Sequence, residues 1–213
     1  MSKFLQRQEL AAMALLRAGA LQFGDFTLAS GKKSPYYVNC RLLQSFPREL
    51  GEVATAMMQM MSEKGLSEVD LIAGLPEAAV PLATVISQMT GVPMITPRKK
   101  PKDHGVGGQI DGVYKVGQRV GMVDDVVTTA GTKLEFAAIL EEAELKVSTI
   151  WIVVDRLYNG VQAITEAGYS CDALVTILDL VEIYRSKRAI EEAKLQAIEG
   201  FVASELVDLQ KRE

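Results

Sequence analysis

The chain has 213 residues, 48% of them hydrophobic, with 23 Lys and Arg against 27 Asp and Glu for a net charge of −4. A chain of this length buries roughly 70% of its unfolded surface, which excludes disordered and collagen-like architectures, and the acidic balance argues against coating nucleic acid through bulk charge. A single histidine, His104, excludes every multi-histidine metal site. Cys40 and Cys171 stand far apart with no CxxC pair, so they are expected as buried thiols rather than a zinc knuckle or disulfide. The mixed-charge N-terminus does not read as a signal peptide, and no apolar run is long enough to span a membrane. A cytoplasmic protein without nucleic-acid or membrane partners is the expectation.

Residues 3–18 carry apolar side chains at helical spacing. The stretch 23–43 places aromatic and apolar residues around the turn-rich ASGKKSP, which predicts a hairpin. Residues 48–64 return to helical spacing, with methionines expected as core filler. Short apolar runs then follow at 69–75, 92–96, 119–123, 149–154 and 173–178, each expected as a strand. Helix-like stretches occupy 81–91, 132–144 and 159–168, and a closing helix is expected within 186–213. Near-continuous apolar strands separated by helices predict an α/β fold with a central parallel sheet flanked by helices. The chain is expected as one domain, 1–213, with residues 1–45 forming an N-terminal helix and small hood.

The chemistry concentrates in RVGMVDDVVTTAGTK, 119–133, where a strand delivers Asp124 and Asp125 to a turn of small and hydroxyl residues that opens a helix. Ligands of open α/β sheets collect at the carboxyl ends of strands, and a helix N-terminus there suits a phosphate. Thr128, Thr129 and Thr132 add hydroxyls, while Ala130 and Gly131 let an anion approach the backbone. The acids repel phosphate but suit sugar hydroxyls, so the segment describes a site for a phosphorylated ribose. Neither GxxxxGK[ST] nor a GxGxxG after a strand occurs, which argues against a P-loop and a dinucleotide fold. A second cluster, Arg98, Lys99, Lys100 and Lys102 against Asp103, carries +3 within six residues and runs into His104 and a glycine-rich stretch. A glycine-hinged cationic loop fits a diphosphate leaving group, which needs positive charge and exclusion of water.

The 119–133 segment resembles the phosphoribosyl-diphosphate (PRPP) motif of type I phosphoribosyltransferases. Five blocks narrow the resemblance to the orotate phosphoribosyltransferase family: FTLASGKKSPYYVN, IAGLPEAAVPLA, PRKKPKDHGVGGQIDG, VDDVVTTAGTK and VDR. The resemblance implies transfer of a 5-phosphoribosyl group from PRPP to orotate, with Mg²⁺ held through substrate oxygens and water rather than by protein ligands directly. It implies a homodimer whose mobile loop, 98–110, completes the neighbouring site. By the same correspondence Lys102, His104 and Asp125 are catalytic, and PRPP contacts Arg98, Lys99, Lys102 and His104. The PRPP motif itself runs from Asp124 and Asp125 through Val126, Val127, Thr128, Thr129, Ala130 and Gly131 to Thr132. Orotate is expected against Tyr37, Val38, Thr128 and Arg156, with Tyr37 stacked on the ring, Val38 offering backbone contacts and the Arg156 guanidinium matching the carboxylate. Three places depart from the family pattern: Ala29 replaces a frequent lysine, Glu77-Ala78-Ala79 adds an acid near the expected diphosphate, and Ala130 replaces a glycine. Transfer to another base, or a non-catalytic regulator on the same fold, are the alternatives these residues leave open.

Overall fold

The computed structural model describes residues 3–28, 31–100 and 108–211. Helix α1 (Lys3–Arg17) leads into an antiparallel hairpin, β1 (Leu21–Thr27) and β2 (Lys33–Val38), which forms the hood. A 3-10 segment and α2 (Pro47–Glu63) follow, then β3 (Leu71–Gly74), α3 (Val80–Thr90), β4 (Met94–Pro97) and the short β5 (Ile110–Asp111). The second half alternates: β6 (Arg119–Val127), α4 (Gly131–Glu142), β7 (Lys146–Asp155), α5 (Gly160–Glu166) and β8 (Ser170–Thr176). Helices α6 (Ile177–Ser186) and α7 (Glu192–Gln210) close the chain.

The main sheet has the order β5-β4-β3-β6-β7-β8, parallel except for the antiparallel edge strand β5. The expected strand–helix alternation is therefore the one observed. Side chains alternate along each strand, so Val123, Trp151 and Val153 join one hydrophobic cluster with α1, α2, α3, α6 and α7. Val120, Met122, Ile150 and Ile152 join a second with α4 and α5. Met57, Met60 and Met61 are core residues, as their helical spacing implied. Cys40 is a buried free thiol, and Cys171 is only half-buried.

One glycine of β6 is dictated by packing. A Cβ on Gly121 would lie 2.1 Å from the Trp151 ring, whose indole N–H donates to the Lys64 carbonyl at 3.0 Å. The absence of a side chain at this position lets the largest core residue lie across the sheet's central strand.

Two expected boundaries are corrected. The strand expected over 119–123 continues to Val127, so Asp124 and Asp125 lie within β6 rather than beyond its end. The reason is pairing: β7 supplies ladder partners through Val127↔Asp155. The run expected over 173–178 stops at Thr176, because a capping box starts α6 there. The Thr176 hydroxyl accepts from the Asp179 N–H at 3.0 Å, while the Asp179 carboxylate accepts from the Thr176 N–H at 2.7 Å. No helix among the described residues is long and apolar enough to cross a membrane.

Candidate active site

Central strand β6 and its neighbour β7 deliver the site. Past Val127 the chain turns through Thr128, Thr129 and Ala130 into α4, whose first backbone N–H groups have no carbonyl partner within the helix. Ala130 takes an ordinary helical φ of −72°, so alanine fits where the family has glycine. A Cβ on Gly131 would meet nothing, which leaves the helix N-terminus open to an anion. Behind this turn, a Cβ on Gly160 would fall 2.4 Å from Val127 and 2.8 Å from the Thr128 carbonyl oxygen. Glycine there allows the β7–α5 connection to nest directly under the phosphate-type loop.

The paired acids divide their work. Asp124 is 6% exposed, and its Oδ2 lies 2.9 Å from the Lys133 Nζ, which also donates to the Val126 carbonyl at 2.6 Å. Its Oδ1 accepts from the Asp125 N–H at 2.9 Å. Lys133, which sequence reasoning did not single out, thus compensates the buried charge. Removing one partner of such a pair costs about 3–5 kcal/mol. Among the described residues no cation forms an ion pair with Asp125, although the Lys133 charge partly offsets the rise in its pKa. Burial first, and the neighbouring Asp124 charge second, push its carboxyl up to about 7.

Arg156 follows the end of β7, and its N–H donates to the Val127 carbonyl at 3.0 Å, which fixes it beside the turn. The side chain is 5% exposed and lies between two rings, 4.7 Å from the Tyr36 centroid and 5.2 Å from that of Tyr158. Its Nε donates to the Tyr36 hydroxyl at 3.3 Å, while one terminal nitrogen is buried without a hydrogen-bond partner. Asp155 does not neutralise it; that carboxylate accepts from the Leu157 N–H at 2.8 Å. Arg156 faces a cavity of about 730 Å³ that Tyr37, Thr128, Thr129 and Tyr158 also line. A planar, partly unsatisfied guanidinium in such a cavity is suited to a carboxylate.

Of the expected residues, the structure therefore brings Tyr37, Thr128, Thr129 and Arg156 together. Tyr37 is 38% exposed and leans on Phe26 with ring centroids 5.7 Å apart, available for stacking. Val38 turns its side chain into the core. Thr132 is exposed on the first turn of α4. Arg98 donates to Asp111 of β5 at 3.0 Å, and Lys99 pairs with Glu135 of its own α4 at 2.5 Å. Glu77 points to solvent. Lys102, His104 and Ala29 lie outside the described residues. Tyr36 and Tyr158 were missed, although the strict alternation of β2 (Ser34, Tyr36 and Val38 inward) was readable in the sequence.

Comparison with known proteins gives the chemistry a frame. The orotate phosphoribosyltransferase of Thermococcus gammatolerans is 38% identical over 168 residues, 79% of this chain and 88% of that protein. The chain belongs to the orotate phosphoribosyltransferase family. Members of this family are pentosyltransferases, and the enzyme class of the chain follows. Among solved structures, Leishmania donovani UMP synthase matches with a TM-score of 0.82 at 35% identity, over 92% of this chain and 42% of that one. Mycobacterium tuberculosis orotate phosphoribosyltransferase in complex with PRPP matches with a TM-score of 0.67 at 25% identity, over 82% and 98% of the two chains. No family model matches the chain. The type I phosphoribosyltransferase fold expected from the five sequence blocks is thus the fold found.

Proposed function

We propose that the chain transfers the 5-phosphoribosyl group of PRPP to N1 of orotate, giving orotidine 5′-phosphate and diphosphate, the phosphoribosyl step of UMP biosynthesis. The observation that carries this reading is the buried Arg156 terminal nitrogen left without a partner at the cavity beside the 128–132 turn. Orotate has the carboxylate that would satisfy it; uracil and the purine bases do not. The ribose 5-phosphate would lie on Thr128, Thr129, Ala130, Gly131 and Thr132, with the ribose hydroxyls on Asp125 and Asp124 held behind it by Lys133. Tyr37 would stack on the pyrimidine.

As the ribose C1–O bond breaks and the C1–N1 bond forms, positive charge grows on the sugar and negative charge on the diphosphate. Asp125 would face the former. Arg98, Lys99, Lys102 and His104 would neutralise the latter, with catalysis arising mainly from charge placement and closure. Among the described residues no three His, Cys, Asp or Glu side chains gather as a metal cage. With Asp124 already paired to Lys133, the described residues would leave a Mg²⁺ ion to be held by substrate oxygens and water. Bound there, Mg²⁺ supplies charge neutralisation of the leaving group. Within this reading residues 1–213 act as one cytoplasmic domain, and Lys102 and His104 serve the neighbouring subunit of a homodimer.

Mass-spectrometric detection of orotidine 5′-phosphate, formed in step with diphosphate from orotate, PRPP and Mg²⁺, tests the reaction. Absence of turnover at saturating substrates would contradict it. Mixed Lys102→Ala and Asp125→Asn subunits should regain activity if the loop acts across the interface, since one heterodimer site is then intact. Proven heterodimers without recovery would refute the exchange.

A further inference from the structure

Helix α7 ends against the hood and contributes charge to the acceptor cavity. Its Leu195, Ile198 and Val202 are buried, and Phe201 sets its ring edge-on to Tyr36 at 6.0 Å, the same tyrosine that accepts from Arg156. Further along the helix, Glu205 is 8% exposed and lines the cavity with Arg156, as does Asp208. Both carboxylates accept from one ammonium: the Lys32 Nζ lies 2.7 Å from Glu205 and 2.9 Å from Asp208. Lys32 is anchored at its other end by the hairpin turn, where its carbonyl accepts from the Leu28 N–H at 2.9 Å. The two acids raise the ammonium's affinity for its proton, so the cation persists across the neutral range.

Two carboxylates beside a cavity that takes an anionic base are an electrostatic conflict. At an effective dielectric near 20, an uncompensated unit charge about 8 Å from a bound carboxylate weakens its binding tenfold or more. Lys32 offsets one of those two charges where the conflict arises. We propose that Lys32 is a positioning residue for the acceptor: by offsetting one of the two charges of Glu205 and Asp208 it opens the cavity to an anionic pyrimidine while fixing α7 as the cavity wall. The inference rests on orotate as the acceptor.

Steady-state constants for orotate and PRPP, measured on purified variants whose folding is verified by circular dichroism, test it. Wild-type turnover of orotate is the control, and its failure would strike the proposed reaction rather than Lys32. Lys32→Ala should raise the orotate KM about tenfold, with the PRPP KM within about twofold and kcat within about threefold. The triple variant Lys32→Ala/Glu205→Gln/Asp208→Asn should have an orotate KM at or below that of wild type, because with both acids gone no negative charge is left for Lys32 to offset. Glu205→Gln/Asp208→Asn, which keeps the lysine, should lower the orotate KM. An unchanged orotate KM in Lys32→Ala, a triple variant as impaired as Lys32→Ala, or an unchanged or raised KM in the double variant would each overturn the proposal.

Discussion

Replacing Arg156 with lysine is expected to lower kcat/KM for orotate about a hundredfold, while the KM for PRPP stays within about twofold. The charge survives this substitution, but the planar fork does not. The guanidinium lies between the Tyr36 and Tyr158 rings and donates to the Tyr36 hydroxyl, so its orientation is set before any ligand arrives. An ammonium cannot match both oxygens of a carboxylate from that position, and it forfeits the ring contacts. Arg156→Gln, which also removes the charge, should lose about a thousandfold, since truncating one partner of a buried charged pair costs about 2–5 kcal/mol. Thermal melts of both variants separate a binding loss from a folding loss. An orotate kcat/KM within threefold of wild type in a folded Arg156→Gln protein would remove Arg156 from the acceptor site.

Asp125→Asn should cost about a hundredfold in kcat/KM for PRPP and yet stabilise the protein above neutral pH. Burial and the Asp124 charge raise the folded-state carboxyl from its ordinary 3.8 to about 7. Between those values the folded chain holds a proton that the unfolded chain has released. Stability therefore falls as pH rises through this window, and the full penalty is present above about pH 7. Asparagine never ionises, so the variant should be more stable near about pH 8 by on the order of 2 kcal/mol, and indistinguishable below about pH 4. Melting temperatures of the two proteins across this range check the sign. A wild-type protein that is the more stable of the two at about pH 8 would mean that Asp125 carries no strain of this kind. The pairing of lost activity with gained stability marks a carboxylate kept buried for its ligand rather than for the fold.

The reach of sequence reasoning follows contact range. Strand–helix alternation, the acid pair and the hydroxyl-rich turn are local patterns, and they located α4 and the start of β6, though not the end of β6. The position of Arg156 just past the end of β7 was legible because it follows an apolar run. The partners of these residues were not, because they come from distant segments: Lys133 against Asp124, Tyr36 against Arg156, and Glu205 with Asp208 against Lys32. Helix α6 was overlooked although Thr176 and Asp179 spell its capping box, because the apolar run Ile177-Leu178 extended the strand pattern past its true end. Helix α7 read as a closing helix packed on the domain or on a partner; that Glu205 reaches the cavity depends on how α7 crosses the hood, which helical periodicity does not encode.

The proposed acceptor is a pyrimidine that carries a carboxylate, bound in the cavity beside Arg156. The most direct test of this assignment is the ratio of kcat/KM for orotate to that for uracil, measured on one wild-type preparation with PRPP and Mg²⁺ saturating. Uracil would leave the buried guanidinium unsatisfied, so orotate should be preferred by about a thousandfold or more. Equal use of the two bases, or a preference for uracil, would contradict it.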